Sequence, residues 1–514
     1  MIVRCWYLCH SLTRATETMG LSNYQKESLM ASKHSWYVFM GNVLEWYEFS
    51  VYGYLAPEIS ANFFPNSSTG VWVGHTVTFI ARPFGSLVFG WMGDKFGRRL
   101  ALLTSMFGMI VATVGTGCLP SVYCCGDEGG TAGMVFLIIF RVMQGLCTSG
   151  EVGNMATYIA EQEHTGVLGM LNAIIGFGSF SGFVLSSSFV WVLQTVLTED
   201  EMLLWGWRIP FLVCIVPGCV TLFARRNMQE TETFKQMHAV AKQRTKPTES
   251  VEGGVGSATD KSAKGASLVA LKNDESKSDL PGKSTTGISI GGSPSSADLE
   301  HEALSSNPLK ELFTHSPMQT LFVFLGMAGF SNMVYIGLIY STTYLRVYKG
   351  VESSTALGMS VVGKLLMLCI CPIFGYMSDR LGTGKAFVIG NVVLLTGTLS
   401  WAGMIYGDSL AVFWAMQVLL GLGGGFLIAP YLWCAEAFPA RLRATGFVSY
   451  NVSLTVFGGF GPLIASEIAA TGQDWGILVL SGGIALIAAV STVVAYGKHS
   501  RGEVIMSNIR PEMY

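Results

Sequence analysis

The sequence predicts an all-α membrane protein with about 12 transmembrane helices in two pseudo-symmetric six-helix halves. Three observations carry that prediction. Half of the residues (50%) are hydrophobic and only 13% are charged, about half the charged share of an ordinary soluble domain. Apolar runs of roughly 20 residues, enough to cross a bilayer, recur along most of the chain. A short motif also occurs twice after such a run, as GWMGDKFGRR from Gly90 to Arg99 and as GYMSDRLGTGK from Gly375 to Lys385. A charged, glycine-rich turn repeated after a membrane-length segment marks two related halves, and membrane proteins built this way are commonly transporters.

The elements follow in chain order. Residues 1–35 read as an N-terminal cytoplasmic segment, expected to be disordered; its apolar run from Met1 to Cys9 is too short to span and lacks a cleavage pattern. The first half, 36–235, carries spans at 36–56, 71–92, 99–119, 134–158, 167–189 and 208–224. Helices are required because a lone lipid-facing segment must satisfy its own backbone hydrogen bonds. Residues 236–308 are rich in Ser, Gly, Lys and Thr and cannot bury enough apolar surface to fold alone, so they read as a disordered cytoplasmic linker. The second half, 309–498, carries spans at 318–340, 355–377, 386–406, 410–432, 444–468 and 475–497. A short cytoplasmic tail, 499–514, shows no heptads and so no coiled coil.

Lys and Arg set the orientation. Lys95, Arg98, Arg99, Arg225, Arg226, Arg380, Lys385, Arg441, Arg443, Lys498 and Arg501 fall on one side, while Asp127, Glu128, Glu199, Asp200, Glu201, Asp408 and Asp474 fall on the other. Arg346 and Lys349 are the exceptions. The positive-inside rule then puts both termini in the cytoplasm. The plasma membrane is the expected location and an organelle membrane the alternative. Asn66 begins a glycosylation triplet in the first outside loop. Cys124 and Cys125, with Cys118 nearby, leave a disulfide open. The other cysteines make no metal-ligand spacing. The net charge of −2 argues against a nucleic-acid partner. No nucleophile–base set points to an enzyme, and no cofactor is expected beyond a proton gradient.

Ionisable residues at bilayer depth cost at least a few kcal/mol and mark function by default. The first span carries Glu45 and Glu48, with Tyr52 on the same face. The second carries Arg82 before Pro83, and the fourth carries Arg141, Gln144, Thr148 and Glu151 on one face. The eighth carries Lys364. Glu45, Glu48, Arg141 and Glu151 are candidates for proton coupling, since a carboxylate that pairs with Arg in one state and takes a proton in another is a workable coupling device. The alternative is a set of buried ion pairs, Glu45 with Arg82 or Glu151 with Arg141, that order the bundle. Aligning the two motif copies maps Lys364 onto Phe79, one turn from Arg82. Two converging cations suggest an anionic group on the substrate, most simply a carboxylate; the alternative is that Lys364 snorkels or pairs with Glu48. Arg82, Lys364, Tyr52, Tyr340 and Asn451 are the candidate substrate contacts, and flanking aromatics offer a cage for a quaternary ammonium. Gly90, Asp94, Arg98, Asp379 and Arg380 are the candidate gating residues. Gly90 and Gly97 suit close approach and a tight turn, and Asp94 suits a helix N-terminus across the seam between the halves. The second motif copy lacks the paired Arg, which predicts a tighter charge lock around Asp94.

Jointly these stretches resemble the major facilitator superfamily, in its metabolite–proton symporter branch of proline/betaine, shikimate, citrate and 2-oxoglutarate carriers. The resemblance rests on Gly41 to Phe49, Ala81 to Gly85, Gly90 to Arg99, Arg141 to Glu151, Trp205 to Phe211, Glu230 to Phe234, Ala435 to Arg443, and Tyr450 to Pro462. It implies the major facilitator fold and proton-coupled symport by alternating access, with the site between the halves and the protein working as a monomer in the lipid bilayer. Glu48 stands where Asp is usual in the family. The expected substrate is a small carboxylate-bearing metabolite. The alternatives are a zwitterionic osmolyte of the proline/betaine type, favoured if aromatics rather than Lys364 line the site, and a non-transporting solute sensor.

Overall fold

The structure, a computed structural model, describes residues 36–65, 67, 69–160, 168–226, 308–425, 430–439 and 442–506. The N-terminal segment, most of the linker, Asn66 and the end of the tail lie outside the described residues. Among the described residues the chain is helical and contains no strand. Six spans form the first half: α1 Trp36–Tyr54, α2 Gly70–Phe96, α3 Arg98–Gly117, α4 Val122–Ala160, α5 Leu168–Val196 and α6 Gly206–Arg226. Six more form the second: α7 Pro317–Val347, α8 Ser353–Leu381, α9 Thr383–Tyr406, α10 Leu410–Gly425, α11 Thr445–Ala470 and α12 Trp475–Ser500. The chain resumes after α10 as a helix at Pro430–Ala437.

Several helices outrun the apolar runs that predict them. α4 starts at Val122 rather than near 134, and Gly126 (φ 69°) breaks its first turn, so Asp127 and Glu128 open a helix instead of lying in a loop. Backbone hydrogen bonding continues past the apolar core because nothing terminates it there. Cys118, Cys124 and Cys125 carry free thiols. The short helix Glu199–Leu204 has a capping box: the Thr198 hydroxyl accepts from the Glu201 N–H, and the Glu201 carboxylate accepts from the Thr198 N–H at 2.9 Å. Large exposed apolar side chains such as Phe84, Phe107, Phe223 and Val479 stud the outer face, as a lipid-facing surface requires.

The repeat in sequence is a repeat in geometry. Gly97 (φ 101°) and Gly382 (φ 91°) hold the same place in the two motif copies, and each takes the left-handed turn that joins one span to the next. Helix pairing repeats as well. A Cβ at Gly145 of α4 would lie 2.0 Å from the Thr78 carbonyl of α2, and one at Gly421 of α10 would lie 2.3 Å from the Gly363 carbonyl of α8. Both close backbone approaches therefore need small residues. Among the described residues the π-helical stretches both lie in the second half, Met333–Tyr340 in α7 and Leu454–Gly459 in α11.

The halves are sewn together where helices give up carbonyls. Pro83 has no N–H, so the Phe79 carbonyl of α2 lacks its helical donor. It accepts instead from the Thr455 hydroxyl of α11 at 2.7 Å. Thr76 of α2 donates to the Gly459 carbonyl, at the end of the α11 π stretch, at 2.8 Å. Asn451 reaches back across the same seam and donates to the Ser86 hydroxyl at 2.8 Å.

Candidate functional site in the aromatic chamber between the halves

One face of α2 builds the centre of the site. Trp72, His75, Phe79 and Arg82 follow at helical spacing, and all are buried. Arg82 lies over two rings, with its Cζ 4.6 Å from the Phe79 centroid and 5.2 Å from that of Phe49 on α1. Tyr335 of α7 closes the other side, 4.7 Å from Phe79 and 5.4 Å from Phe49. His75 sits among Phe49, Trp72, Phe79 and Tyr335 with centroid distances of 5.0–5.8 Å. Trp46 stacks on Tyr335 at 6.4 Å. These rings come from α1, α2 and α7, so both halves contribute.

Within this aromatic shell the polar atoms are unusually underused. Nε and Nη1 of Arg82, both carboxylate oxygens of Glu45 and both ring nitrogens of His75 have no hydrogen-bond partner among the described residues. Buried polar groups are ordinarily paired, and an unpaired buried charge is costly. Glu45 and Arg82 make no ion pair with each other here, which removes that structural account of the two. A guanidinium edge, a carboxylate and an imidazole held in a ring-lined interior can bind a small solute that carries both charges.

Glu48 is better held. One oxygen accepts from the Thr113 hydroxyl of α3 at 2.8 Å. Arg141 of α4 lies over the Tyr52 ring at 4.0 Å, and the Tyr52 hydroxyl donates to the Val71 carbonyl at 2.8 Å. Tyr52 thus anchors Arg141.

Glu151 departs from the expected pairing with Arg141. Its partner is Arg225, from α6, which donates to both carboxylate oxygens, the Nη1 bond measuring 2.7 Å. Sequence position made Arg225 an orientation charge at a helix end; it is instead fully buried. Gly41 makes room for it, since a Cβ there would lie 1.7 Å from Arg225 Nη2.

Lys364 also departs from expectation. It does not converge with Arg82, and the residues it touches are not those around Arg82. It curls along its own helix to the Ser360 hydroxyl and carbonyl, with the carbonyl at 3.1 Å, and lies 4.6 Å from the Tyr54 ring centroid. It makes no ion pair with Glu48. The alignment of motif copies equates helix positions but leaves side-chain direction unspecified, and a long flexible ammonium follows the nearest oxygens. Tyr340 packs against Trp72 and Trp401 and donates to the Ala465 carbonyl at 3.1 Å.

Both ends of the bundle carry a contact across the seam. At the end with the glycine-rich turns, the Asp379 carboxylate accepts from the backbone N–H groups of Gly169 and Met170, at 2.6 and 2.9 Å, at the described start of α5. A carboxylate facing helix-end amides is a strong contact. Gly375 packs close beside it, since a Cβ there would lie 2.5 Å from Ala173 Cβ. Gly90, the matching residue in the first copy, is not a close-approach residue: a Cβ there meets nothing within 4 Å. The side chains of Asp94 and Arg98 lie outside the described residues. The lock that the described residues make is at Asp379, in the second copy. Arg380 is exposed and lies over Tyr376 of its own helix, 5.4 Å from its centroid.

At the opposite, distal end, Arg346 of α7 pairs with Glu58 at 2.7 Å and donates to the Tyr54 carbonyl at 3.0 Å. Gln194 of α5 donates to the same Glu58 oxygen at 2.6 Å. Glu58, Arg346 and His75 escaped sequence reasoning. Arg346 stood out only as an exception to the charge rule, Glu58 lies in a connecting helix, and a lone His in an apolar run carries no pattern.

A sequence profile described as the Major Facilitator Superfamily matches residues 38–462 and 372–504. The chain is 25% identical over 451 residues to the proline/betaine transporter of Escherichia coli (strain K12), covering 85% of this chain and 77% of that one. It is likewise 25% identical over 443 residues to the glycine betaine/proline/ectoine/pipecolic acid transporter OusA of Dickeya dadantii (strain 3937), with the same coverage of 85% and 77%. Among solved structures, the proton:xylose symporter XylE bound to 6-bromo-6-deoxy-D-glucose matches with a TM-score of 0.64 at 13% identity. That match covers 94% of this chain and 98% of the other, and it is a likeness of fold.

Proposed function

This chain belongs to the major facilitator superfamily, and on that premise we propose that it transports a small zwitterionic solute of the betaine or proline type, coupled to protons. The observation that carries the proposal is the Arg82 guanidinium held between Phe49 and Phe79, with Nε and Nη1 unpartnered and Tyr335 closing the rings. Arg82 takes the solute carboxylate by charge-assisted hydrogen bonds, and the surrounding rings take the ammonium by their negative faces. The similar transporters of Escherichia coli and Dickeya dadantii support this solute class by their printed substrates. The reading keeps the carboxylate expected from the sequence and adds a cationic end, because aromatics rather than Lys364 surround the site.

Glu45 is the proton carrier in this reading. Its carboxylate is buried with no hydrogen-bond partner, in the field of Arg82, Arg225, Glu48 and Glu151. A solute that engages Arg82 changes the charge balance around Glu45 and with it the hold on a proton. Asp379 on α5 and Arg346 on Glu58, both made in this structure, are the contacts that open in turn as access alternates. The test is uptake of labelled glycine betaine and proline by a host lacking its own carriers, with and without a proton uncoupler. Accumulation abolished by the uncoupler is expected. Accumulation of a dicarboxylate but of neither zwitterion would overturn the solute class, and uncoupler-insensitive accumulation would overturn proton coupling.

A further inference from the structure

A cleft of about 290 Å³ opens at the distal end, beside the Arg346–Glu58 pair, with walls from both halves. Small-solute sites begin near this size, roughly 300 Å³. Phe64, Trp72, Tyr340 and Tyr348 line it, with the hydroxyl-bearing Ser60 and Thr343, and no Lys, Arg, Asp or Glu is among its lining residues. The Tyr340 hydroxyl is tied to the Ala465 carbonyl at 3.1 Å and that of Tyr348 to the Ser466 carbonyl at 3.4 Å. The Phe64 and Tyr348 rings are the partly exposed ones, while Trp72 and Tyr340, buried against each other, form the floor of the cleft. Trp72 belongs both to the cleft and to the face of α2 that builds the chamber. Immediately below it lies His75, buried and with both ring nitrogens unpartnered, and below that Phe79 and Arg82. The cleft therefore ends at the same face of α2 that carries the buried imidazole and the buried guanidinium.

We propose that the distal cleft is a second binding site, distinct from the central chamber, that takes an alkylammonium group by cation–π contact. The inference rests on the zwitterion reading of the central site. The chemistry of the two sites differs in kind. The cleft offers ring faces and no cation, so it accepts the ammonium and ignores the carboxylate. The chamber offers Arg82, which requires the carboxylate. A zwitterion engages the cleft by its cationic end alone and needs its carboxylate only at Arg82.

The experiment measures binding of tetramethylammonium, a cation with no carboxylate, to the purified full-length protein by calorimetry, with sodium chloride matching ionic strength. Tetramethylammonium is expected to bind the wild type and Arg82→Met equally. The double variant Phe64→Ala/Tyr348→Ala is expected to bind it at least fivefold more weakly, and Phe64→Ala/Tyr348→Phe less weakly, because the second ring remains. Thermal melting confirms that each variant is folded, and Phe64 and Tyr348 are only partly buried. No binding to folded wild type, equal binding to the double variant, or loss of binding in Arg82→Met would each overturn the second site. Glycine betaine uptake is scored alongside. Absent uptake with cleft-dependent tetramethylammonium binding sinks the central reading and upholds the cleft, whereas normal uptake without such binding sinks the cleft alone.

Discussion

The two halves share a turn motif and a helix-pair geometry, yet their middles differ. Among the described residues the first half buries Glu45, Glu48, Arg82 and Arg141 at mid-span and the second buries Lys364, while its buried Asp379, Glu436 and Arg443 lie near helix ends. The second half instead carries both π-helical stretches, in α7 and α11. Their counterparts in the first half, α1 and α5, are continuous α-helices. The charges that would hold a solute and a proton therefore sit on regular helices, where side-chain direction is fixed by packing. The irregular helices face them with rings and hydroxyls. The division suggests that recognition is concentrated in one half and adjustment in the other.

The largest test of that division is structural. Gly41→Ala puts a methyl where Arg225 reaches Glu151, and breaking a buried pair costs about 3 kcal/mol. A clearly lowered melting temperature is expected, against an unchanged one for Gly482→Ala, which meets nothing within 4 Å. Next comes Arg82→Met, which removes charged hydrogen bonds of about 1.5–3 kcal/mol and is expected to lower uptake by about 10- to 150-fold. Lys364→Met should lower it by less than about threefold, since its contacts are Ser360 and Tyr54. Equal losses from the two would erase the contrast between the halves. A smaller effect is expected for Asp379→Ala, which deprives two helix-end amides of their acceptor, about 1–2 kcal/mol. Spin labels on the turn ends of α5 and α8 should report a wider distance, and no change would mean that Asp379 is not a lock. The smallest belongs to Arg346→Gln. The Arg346 and Glu58 side chains are each only 8% exposed, but the Gln amide remains a donor and Gln194 still donates to Glu58, so distal spin labels should broaden slightly without loss of uptake. A broadening larger than that from Asp379→Ala would reverse the ranking of the two ends.

Much of this was legible in the sequence because it rests on local rules. The spans follow from apolar length, and the paired turns at Gly97 and Gly382 follow from the repeat. Arg82 and Glu45 drew attention by being charged at bilayer depth. What escaped depends on distant residues. Arg225 looks like a surface charge until α6 brings it to Glu151, 74 positions away in the chain. His75 acquires meaning only from the rings of Phe49 and Tyr335 and of its own helix neighbours. Lys364 and Arg82 match in the repeat, but the repeat relates backbones, and an ammonium on four methylenes settles on oxygen nearby. Pro83 was visible as a helix irregularity, whereas the Thr455 hydroxyl that uses its freed carbonyl was not.

The π stretch of α7 has a consequence for timing. It begins just before Tyr335, a wall of the chamber, and ends at Tyr340, a wall of the distal cleft. A π segment holds one residue more per turn than an α segment. Rewinding it to α geometry passes that residue along and turns one end against the other by about 100°. Tyr335 and Tyr340 then cannot both keep their present rings. One crankshaft would link the two rooms, so that a solute settling in the inner one resets the outer one for the next arrival.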